Sequence, residues 1–232
     1  MNIVIINGQN HKGSTYHIGR MLAERVGGDI AEFFLPRDFS DYCVGCSQCF
    51  EVAAEKCPHY EAQQPILKAM DVADLIILTS PVYVYHVSAP MKNFLDHQGH
   101  RWLVHRPKAE MFTKQAVCIS TAAGAGMKST NKDMADSLFF WGVPKIYEMG
   151  FAVRAINWNG VTDKTRAKID RQVDKVARQI RSHYGNTKPG LKAKVWFYAM
   201  RMVQSKFGWC APDVKYWNEM GWTKKVRPWK GI

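Results

Sequence analysis

Runs of apolar residues alternate along most of this chain with segments in which apolar positions recur every three or four residues. Uninterrupted apolar runs occur at 3–6, 75–78 and 116–119, and two partly alternating segments at 29–35 and 145–153 complete a set of five. Because such runs are typical of strands buried on both faces of a sheet, we predict parallel strands here. Helical periodicity is clearest after the last of these strands, at 162–184. The alternation predicts a doubly wound α/β fold with a five-stranded parallel sheet of strand order 2-1-3-4-5.

The periodic pattern is interrupted near residue 186, where glycine, asparagine and proline cluster. We therefore expect one domain at 1–186 and a C-terminal helical, aromatic-rich extension at 187–232. The extension has a helical pattern from 191 to about 207, and five of the eight tryptophans lie beyond residue 190. Within the first domain, a long predicted loop at 36–64 contains four of the six cysteines, and loops of that length are usually functional or disordered.

Positive charge is concentrated in the extension. The chain of 232 residues has a net charge of +12, and residues 187–232 contribute +8 of it from ten basic and two acidic residues. This distribution argues against a nucleic-acid role for the main domain. The sequence has no apolar run of about 18 residues and no signal-peptide pattern. We therefore expect a cytoplasmic protein without a membrane span.

The first apolar run leads into a glycine-bearing turn and then into a helix. Gly8 and Gly13 bracket the turn, and the hydroxyls of Ser14 and Thr15 are predicted to cap the helix. The free N–H groups at such a helix start favour a phosphate. The spacing matches neither the P-loop of NTPases nor the dinucleotide-binding fingerprint. Two interpretations remain: a monophosphate such as that of FMN, bound at the same turn of a flavodoxin-like sheet, and an ordinary helix cap without a ligand.

The loops that follow parallel strands leave the sheet at one edge. We therefore expect the loops at 7–15, 36–64, 80–88 and 121–126 to converge. The first offers hydroxyls and amides, the third offers apolar and aromatic side chains, and the last offers a glycine-rich backbone. This combination suits a flat ring system that is tethered by a phosphate.

Five short segments resemble motifs of the NADPH-dependent FMN reductase superfamily, in particular those of the iron–sulfur flavoproteins. They are NGQNHKGST at 7–15, CVGCSQC at 43–49, SPVY at 80–83, PMKNFLD at 90–96 and TAAG at 121–124. The resemblance implies a flavodoxin-like fold with bound FMN. It implies phosphate contacts from Asn10, Lys12, Gly13, Ser14 and Thr15. It implies an isoalloxazine that lies against two further groups of residues: Pro81, Val82, Tyr83 and Val84, and Thr121, Ala122, Ala123, Gly124 and Gly126.

Four cysteines have the compact spacing of iron–sulfur ligands. Cys43, Cys46, Cys49 and Cys57 form a C-x2-C-x2-C-x7-C-P pattern, which is close to ferredoxin spacing. The resemblance to the iron–sulfur flavoproteins supports a [4Fe–4S] cluster on these four residues. Free or oxidisable thiols and a zinc site are the alternatives.

Three histidines between the fourth helix and the fourth strand invite a metal hypothesis of their own. The spacing of His97, His100 and His105 matches no compact ligand pattern. We therefore expect these side chains to lie in a solvated loop.

The resemblance implies an FMN-dependent NAD(P)H oxidoreductase that relays electrons through a [4Fe–4S] cluster to an unidentified acceptor. Hydride transfer to a flavin needs stacking and exclusion of water more than an acid or a base, so no catalytic side chain is named. The alternatives are a flavodoxin-like electron carrier and a redox-sensing or membrane-peripheral flavoprotein. We also expect a homodimer or homotetramer, no nucleic-acid partner, and at most weak association of the basic, aromatic extension with a membrane surface.

Overall fold

A five-stranded parallel sheet forms the centre of residues 1–230, the part of the chain that this computed structural model describes. The strands are β1 (Asn2–Asn7), β2 (Asp29–Phe34), β3 (Leu75–Pro81), β4 (Gln115–Ala122) and β5 (Lys145–Ala152). Their order is β2-β1-β3-β4-β5, and every neighbouring pair is parallel. The predicted flavodoxin-like α/β fold and its strand order are confirmed.

Helices cover both faces of the sheet. Within residues 1–230 the α-helices are α1 (Ser14–Val26), α2 (Gln48–Glu51), α3 (Tyr60–Val72), α4 (Ala89–His97), α5 (Met127–Phe140), α6 (Asp163–His183), α7 (Leu191–Lys206) and α8 (Ala211–Glu219). On one face, Ile18 of α1 and Ile169 of α6 belong to one buried cluster. On the other face, Met70 of α3, Phe94 of α4 and Leu138 of α5 belong to a second. The arrangement is therefore doubly wound.

The apolar runs that predicted the strands are buried. This is expected for a sheet that is covered by helices on both faces. The four residues at 3–6 are almost inaccessible to solvent, and all seven residues of β3 are buried. β2 is an edge strand, and exposed positions interrupt its pattern. The inner strands have a neighbour on each side, and they contain the uninterrupted apolar runs that the edge strand lacks.

The long loop predicted at 36–64 is partly helical. It contains α2, and α3 begins at Tyr60 rather than near Pro65, where proline suggested a helix start. Pro65 lies inside α3, and its missing N–H leaves one helical carbonyl without its usual donor. The helix forms because Ile66, Leu67 and Met70 pack into the core. Burial of this apolar face outweighs the lost hydrogen bond.

Two glycines let α1 and α4 approach the sheet closely. A Cβ at Gly19, in α1, would lie 2.9 Å from Thr79 Cγ2 of β3. A Cβ at Gly8 would lie 2.8 Å from Ser88 Oγ and 3.0 Å from the Thr79 carbonyl oxygen. These separations are too short for any side chain. The two glycines therefore fix the start of α1 and the start of α4 beside the carboxyl ends of β1 and β3.

The residues after 186 pack against the segment between α4 and β4. Phe197 of α7, Trp217 of α8 and Trp222 share a buried cluster with Leu103 and Phe112. The buried aromatic residues of the extension thus form a third core together with this segment. The division of the chain at residue 186 stays a prediction.

One apolar face of α7 is exposed. The exposed apolar side chains recur at helical spacing: Leu191, Val195, Tyr198 and Met202. Leu191 is 80% exposed, whereas Phe197 is fully buried. Across residues 1–230, none of the helices has both the length and the apolar composition needed to span a bilayer.

Candidate active site

The loops after β1, β3 and β4 meet at one edge of the sheet, and the loop after β5 joins them. They enclose a cavity of about 190 Å³. Nine of the fourteen predicted cofactor residues line it: Gly13, Ser14, Thr15, Pro81, Val82, Tyr83, Thr121, Ala122 and Ala123. The buried hydroxyls of Thr15 and Thr121 lie 3.1 Å apart, and the Val82 N–H donates to the Thr121 carbonyl oxygen at 2.9 Å. These two hydrogen bonds tie three of the loops together.

Helix α1 begins at the wall of this cavity. Gly13 is its N-cap, and among the described residues no side chain accepts a hydrogen bond at that cap. The prediction that Ser14 and Thr15 cap the helix is therefore wrong: both lie in its buried first turn, because the extended Gly13 ends the loop one residue earlier. The first turn contains no acidic residue. Unpaired N–H groups at the positive end of a helix suit a phosphate.

The loop after β3 carries a tight turn at the rim of the cavity. Tyr83 and His86 exchange two backbone hydrogen bonds of 3.0 Å, and Val84 and Tyr85 between them have φ values of 49° and 66°. Positive φ at both central positions defines a type I′ turn, which favours asparagine and glycine. Two bulky residues in this conformation cost about 1–2 kcal/mol each. Val84 is also 92% exposed, so the turn projects into solvent.

Five predicted cofactor residues lie outside the lining of the cavity, namely Asn10, Lys12, Val84, Gly124 and Gly126. Asn10, Lys12 and Gly124 are exposed on their loops. Lys12 Nζ lies 5.3 Å from the centroid of the Tyr16 ring. Gly126 has a φ of 95°, and a Cβ there would lie 2.6 Å from Val82 Cγ1. Gly126 therefore allows the loop after β4 to pack against the loop after β3.

The cavity also has lining residues that the sequence analysis did not name: Gln9, His11, Val153, Ala155 and Ile156. Val153, Ala155 and Ile156 follow β5, whose carboxyl end reaches the same edge. The rule that loops after parallel strands converge at one edge of the sheet also predicts the position of the loop after β5. Gln9 and His11 lie over Gly13, where a Cβ would be 3.0 Å from Gln9 Nε2 and 3.1 Å from His11 Nε2.

The four cysteines of the loop at 36–64 line a second cavity, of about 70 Å³. Cys43 and Cys46 are exposed, while Cys49 and Cys57 are half-buried. Burial raises the pKa of the Cys49 thiol, and the nearby thiols of Cys57, Cys43 and Cys46 raise it further. The effect on Cys49 reflects the three other thiols that line the same small cavity. A cation placed there would reverse it by favouring the thiolates.

The expectation that the three histidines lie in a solvated loop is wrong. His97 is 5% exposed, and burial lowers its pKa. His100 is buried, and burial together with Arg101 and Arg106 lowers its pKa to about 3. His105 Nδ1 lies 2.7 Å from Asp213 Oδ2.

His97 is covered by Phe39 and His59, and the segment at 105–107 is covered by α8. The Tyr216 hydroxyl donates to the Pro107 carbonyl oxygen at 2.6 Å, and the Trp217 indole N–H donates to the His105 carbonyl oxygen at 2.7 Å. The covering residues of α8 lie more than 100 positions further along the chain. No local pattern reveals such a contact.

Helix α4 connects the two cavities. At its start, the hydroxyl of Ser88 donates to the carbonyl oxygen of Gly8, in the loop that leads to α1. Near its end, the Asn93 amide oxygen accepts from the Cys43 N–H at 3.2 Å, and His97 lines the cysteine cavity. At 1.5 Å per residue, the nine residues of α4 span about 13 Å. One short rigid element therefore spaces the two sites.

The residues at both cavities fit the groups that the resemblance implies. The first offers free helix N–H groups, the hydroxyls of Ser14 and Thr15, and apolar cover from Pro81 and Val82, which are the donors and surfaces that a flavin phosphate and ring require. The second offers four thiols around one space, which is the donor set of a [4Fe–4S] cluster.

Comparison with known proteins agrees with this geometry. A model of the family described as NADPH-dependent FMN reductase matches residues 1–157. An iron-sulfur flavoprotein of Archaeoglobus fulgidus is 25% identical over 200 residues, which are 85% of this chain and 87% of that protein. Flavone reductase has a TM-score of 0.59 at 15% identity, with 82% of this chain and 66% of that chain covered. An FMN-dependent NADH-azoreductase of Bacillus anthracis, solved with FMN, has a TM-score of 0.57 at 11% identity, with 77% and 99% covered.

At these identities the two solved structures show a shared fold and nothing more. The family match is stronger evidence, because it spans more than half of the chain and every loop that lines the first cavity. This chain therefore belongs to the NADPH-dependent FMN reductase family and is a flavin oxidoreductase.

Proposed function

We propose that this chain binds FMN in the first cavity, takes electrons from NAD(P)H, and passes them to an acceptor through a [4Fe–4S] cluster on Cys43, Cys46, Cys49 and Cys57. The name of the Archaeoglobus fulgidus relative, an iron-sulfur flavoprotein, supports the second cofactor. The acceptor itself stays unidentified.

The N-terminus of α1 is the proposed phosphate site. Ser14 and Thr15 would donate from their hydroxyls and N–H groups, and Asn10 and Lys12 would close over the phosphate from the exposed side of the loop. Among the described residues of the first turn no carboxylate competes for these donors. The Thr15–Thr121 hydrogen bond holds the phosphate loop against the loop that would contact the ring.

The loops after β3 and β4 are the proposed ring site. Pro81, Val82 and Tyr83 would cover the apolar ring, while the side-chain-poor backbone at 121–126 would meet its polar edge. When bound, FMN accepts a hydride from the nicotinamide and releases electrons singly or in pairs. The residues of this chain would orient the ring and exclude water from it, and they would leave access for the nicotinamide. No side chain of the lining is required as an acid or a base.

The observation that carries the relay is the placement of α4. Its N-cap, Ser88, bonds to the phosphate loop, and its last turn contacts the cysteine loop. This one short helix would hold the residues of both proposed cofactor sites in a fixed relation to each other. A flavodoxin-like carrier needs only one of the two sites.

The remaining expectations about partners and location stay predictions. The exposed apolar side chains of α7, and those at the cavity rim such as Val84 and Ile156, supply surfaces for a homodimer or homotetramer. The lysines that flank α7 also suit the weak membrane-surface association that the extension suggested. Light scattering of the purified protein measures its oligomeric state, and the same measurement with anionic vesicles tests for association with a membrane surface. The cytoplasmic location stays a prediction as well.

The proposal is tested on protein that is purified and reconstituted anaerobically with FMN, iron and sulfide. We expect tightly bound flavin, about four iron and four sulfide per chain, and bleaching of the flavin absorbance by NADPH or NADH alone. Bleaching that requires an added reductase would indicate an electron carrier and overturn the donor assignment. Failure to retain FMN would overturn the whole proposal.

Two cysteine variants separate the cluster from the flavin. Cys46→Ser removes a thiol that lines the cysteine cavity, so iron and sulfide should be lost while FMN is retained. Cys210→Ser is the matched control, because Cys210 lies outside that lining and donates to the Phe50 carbonyl oxygen at 3.4 Å. Equal iron content in both variants would contradict the proposed ligand set.

A further inference from the structure

A second set of metal-binding atoms lies at one end of the cysteine cavity. The sulfur of Cys57 and ring nitrogens of His59 and His97 all lie within 4.8 Å of one another. His59 Nδ1 and His97 Nε2 are 3.0 Å apart. Two imidazole nitrogens that bind one zinc ion at about 2.0 Å with a tetrahedral angle are about 3.3 Å apart. The two rings therefore need to separate by only a few tenths of an ångström to accept an ion.

Hydrogen bonding fixes the orientation of His97. Its Nδ1 lies 2.9 Å from the Asn93 carbonyl oxygen, which can only accept, so Nδ1 must carry the proton. In a neutral ring Nε2 then holds a lone pair, and this is the atom that faces His59. The ring of Phe39 packs edge-on against His97 at a centroid distance of 4.8 Å. A backbone carbonyl behind one ring nitrogen and a free lone pair on the other is the usual arrangement of a metal-binding histidine.

A buried glutamine holds the other two ligands. Gln63 Nε2 donates to the His59 carbonyl oxygen at 3.1 Å and lies 3.8 Å from Cys57 Sγ. Its Oε1 accepts from Gln98 Nε2 at 2.7 Å, so the orientation of the amide group is set. An N–H group directed at a cysteine sulfur stabilises the thiolate form that a metal requires. The side chains of Gln63 and Gln98 thus hold the turn at 57–59 against the end of α4.

We propose that Cys57, His59 and His97 form a binding site for a single divalent ion of the zinc type. One sulfur and two nitrogen ligands suit Zn²⁺, and the small cavity leaves a fourth position for a water molecule or a further thiolate. Binding releases the thiol proton of Cys57 to solvent, the proton between the two rings moves from Nδ1 to Nε2 of His59, and no electron is transferred. The site shares Cys57 with the proposed cluster, so the two occupants exclude one another. The site does not depend on the presence of the cluster.

The experiment uses Co²⁺ as a spectroscopic probe on the full chain, from which iron and other metals have been removed under anaerobic conditions. We expect one Co²⁺ per chain, with the visible bands of tetrahedral cobalt, a thiolate-to-cobalt charge-transfer band, and displacement by Zn²⁺. His97→Gln should weaken Co²⁺ binding by more than about 100-fold, since loss of an outer hydrogen-bond partner of a ligand alone costs about 10- to 100-fold. Unchanged affinity in this variant would overturn the proposal.

Cys43→Ser is the matched control, because Cys43 lines the same cavity but is outside the three-ligand set. It should keep the Co²⁺ bands and lose the reconstituted [4Fe–4S] cluster, whereas His97→Gln should lose the bands and keep the cluster. Loss of Co²⁺ binding in Cys43→Ser would mean that the ion binds to the cysteines and would overturn the site. Because His97 is buried, His97→Gln could prevent folding. In that case His59→Gln, at a half-exposed position, provides the same test. Failure of the iron–sulfur proposal alone would leave the cobalt result unchanged.

Discussion

Ser14→Asp places a carboxylate where we propose that the phosphate of FMN binds. Ser14 is the first residue of α1, its side chain is buried in the cavity lining, and the first turn has no acidic residue. Without a ligand, a negative charge at a helix N-terminus is favourable by about 0.3–1 kcal/mol. The same charge repels a bound phosphate. Substitution should therefore affect folding and binding in opposite directions.

The repulsion dominates once the flavin binds. Two unit charges about 4 Å apart interact by about 4 kcal/mol at the effective dielectric constant near a protein surface. A loss of about 4 kcal/mol corresponds to an increase in Kd of about 1,000-fold. Riboflavin contains the same ring but no phosphate, so its Kd should change far less. Ser14→Ala loses only one hydroxyl donor, about 1 kcal/mol, and should weaken FMN binding by roughly 5-fold.

The assay is quenching of flavin fluorescence on titration of apoprotein with FMN and with riboflavin, together with thermal unfolding of each apo variant. An apo Ser14→Asp protein that melts no lower than the parent, binds riboflavin and fails to bind FMN is the expected result. Retention of FMN by Ser14→Asp would show that the phosphate binds elsewhere. Equal loss of FMN and riboflavin would show that the variant disturbs the ring site, and would refute the reasoning from charge.

Three further substitutions test other contacts. Gly19→Ala puts a Cβ 2.9 Å from Thr79 Cγ2 and should lower the free energy of unfolding by about 1–3 kcal/mol in a urea titration. Gly160→Ala is the control, because its Cβ would have only ordinary contacts at 3.4 Å or more, and it should have little effect. The pKa of His100 is about 3 in the folded chain and 6.5 when unfolded, so its contribution to stability is complete above pH 6.5 and falls by about 1.4 kcal/mol per unit as the pH drops towards 3. His100→Gln should remove that slope, and an unchanged slope would contradict its assignment to this residue. Val84→Asn relieves a positive φ and should raise the free energy of unfolding by about 1 kcal/mol, so a lower melting temperature would argue against the strained turn.

The strands could be predicted because burial on both faces requires apolar residues at every position. The segment at 75–78 shows this requirement without ambiguity, and its strand aligns with both of its neighbours as expected. The start of α3 could not be predicted in the same way, because residues 60–64 are largely polar and precede a proline. Only the packing of Ile66 and Met70 against the sheet decides where that helix lies. Tertiary contacts override local preference here.

The first cavity was easier to predict than the second. Its loops all leave the same edge of one sheet, so topology alone brings Ser14, Val82 and Thr121 together, and the same rule extends to Ile156 after β5. His59 and His97 are 38 positions apart on two elements whose contact no topological rule specifies. Their pairing depends on the packing of α3 and α4 against each other at the edge of the core. Sequence spacing therefore groups the four cysteines, which line one cavity, but gives no sign of the contact between the two histidines.

The exposure of the cysteines gives the proposed relay a direction. Cys57 is half-buried and lies beside His97, the last residue of α4. Cys43 and Cys46 are exposed, and apolar Tyr42 and Val44 next to them are also exposed. An acceptor that docks on this turn would meet the two exposed cysteines of the proposed cluster. Electrons would then leave through this exposed turn, so the acceptor would not need to reach the flavin cavity.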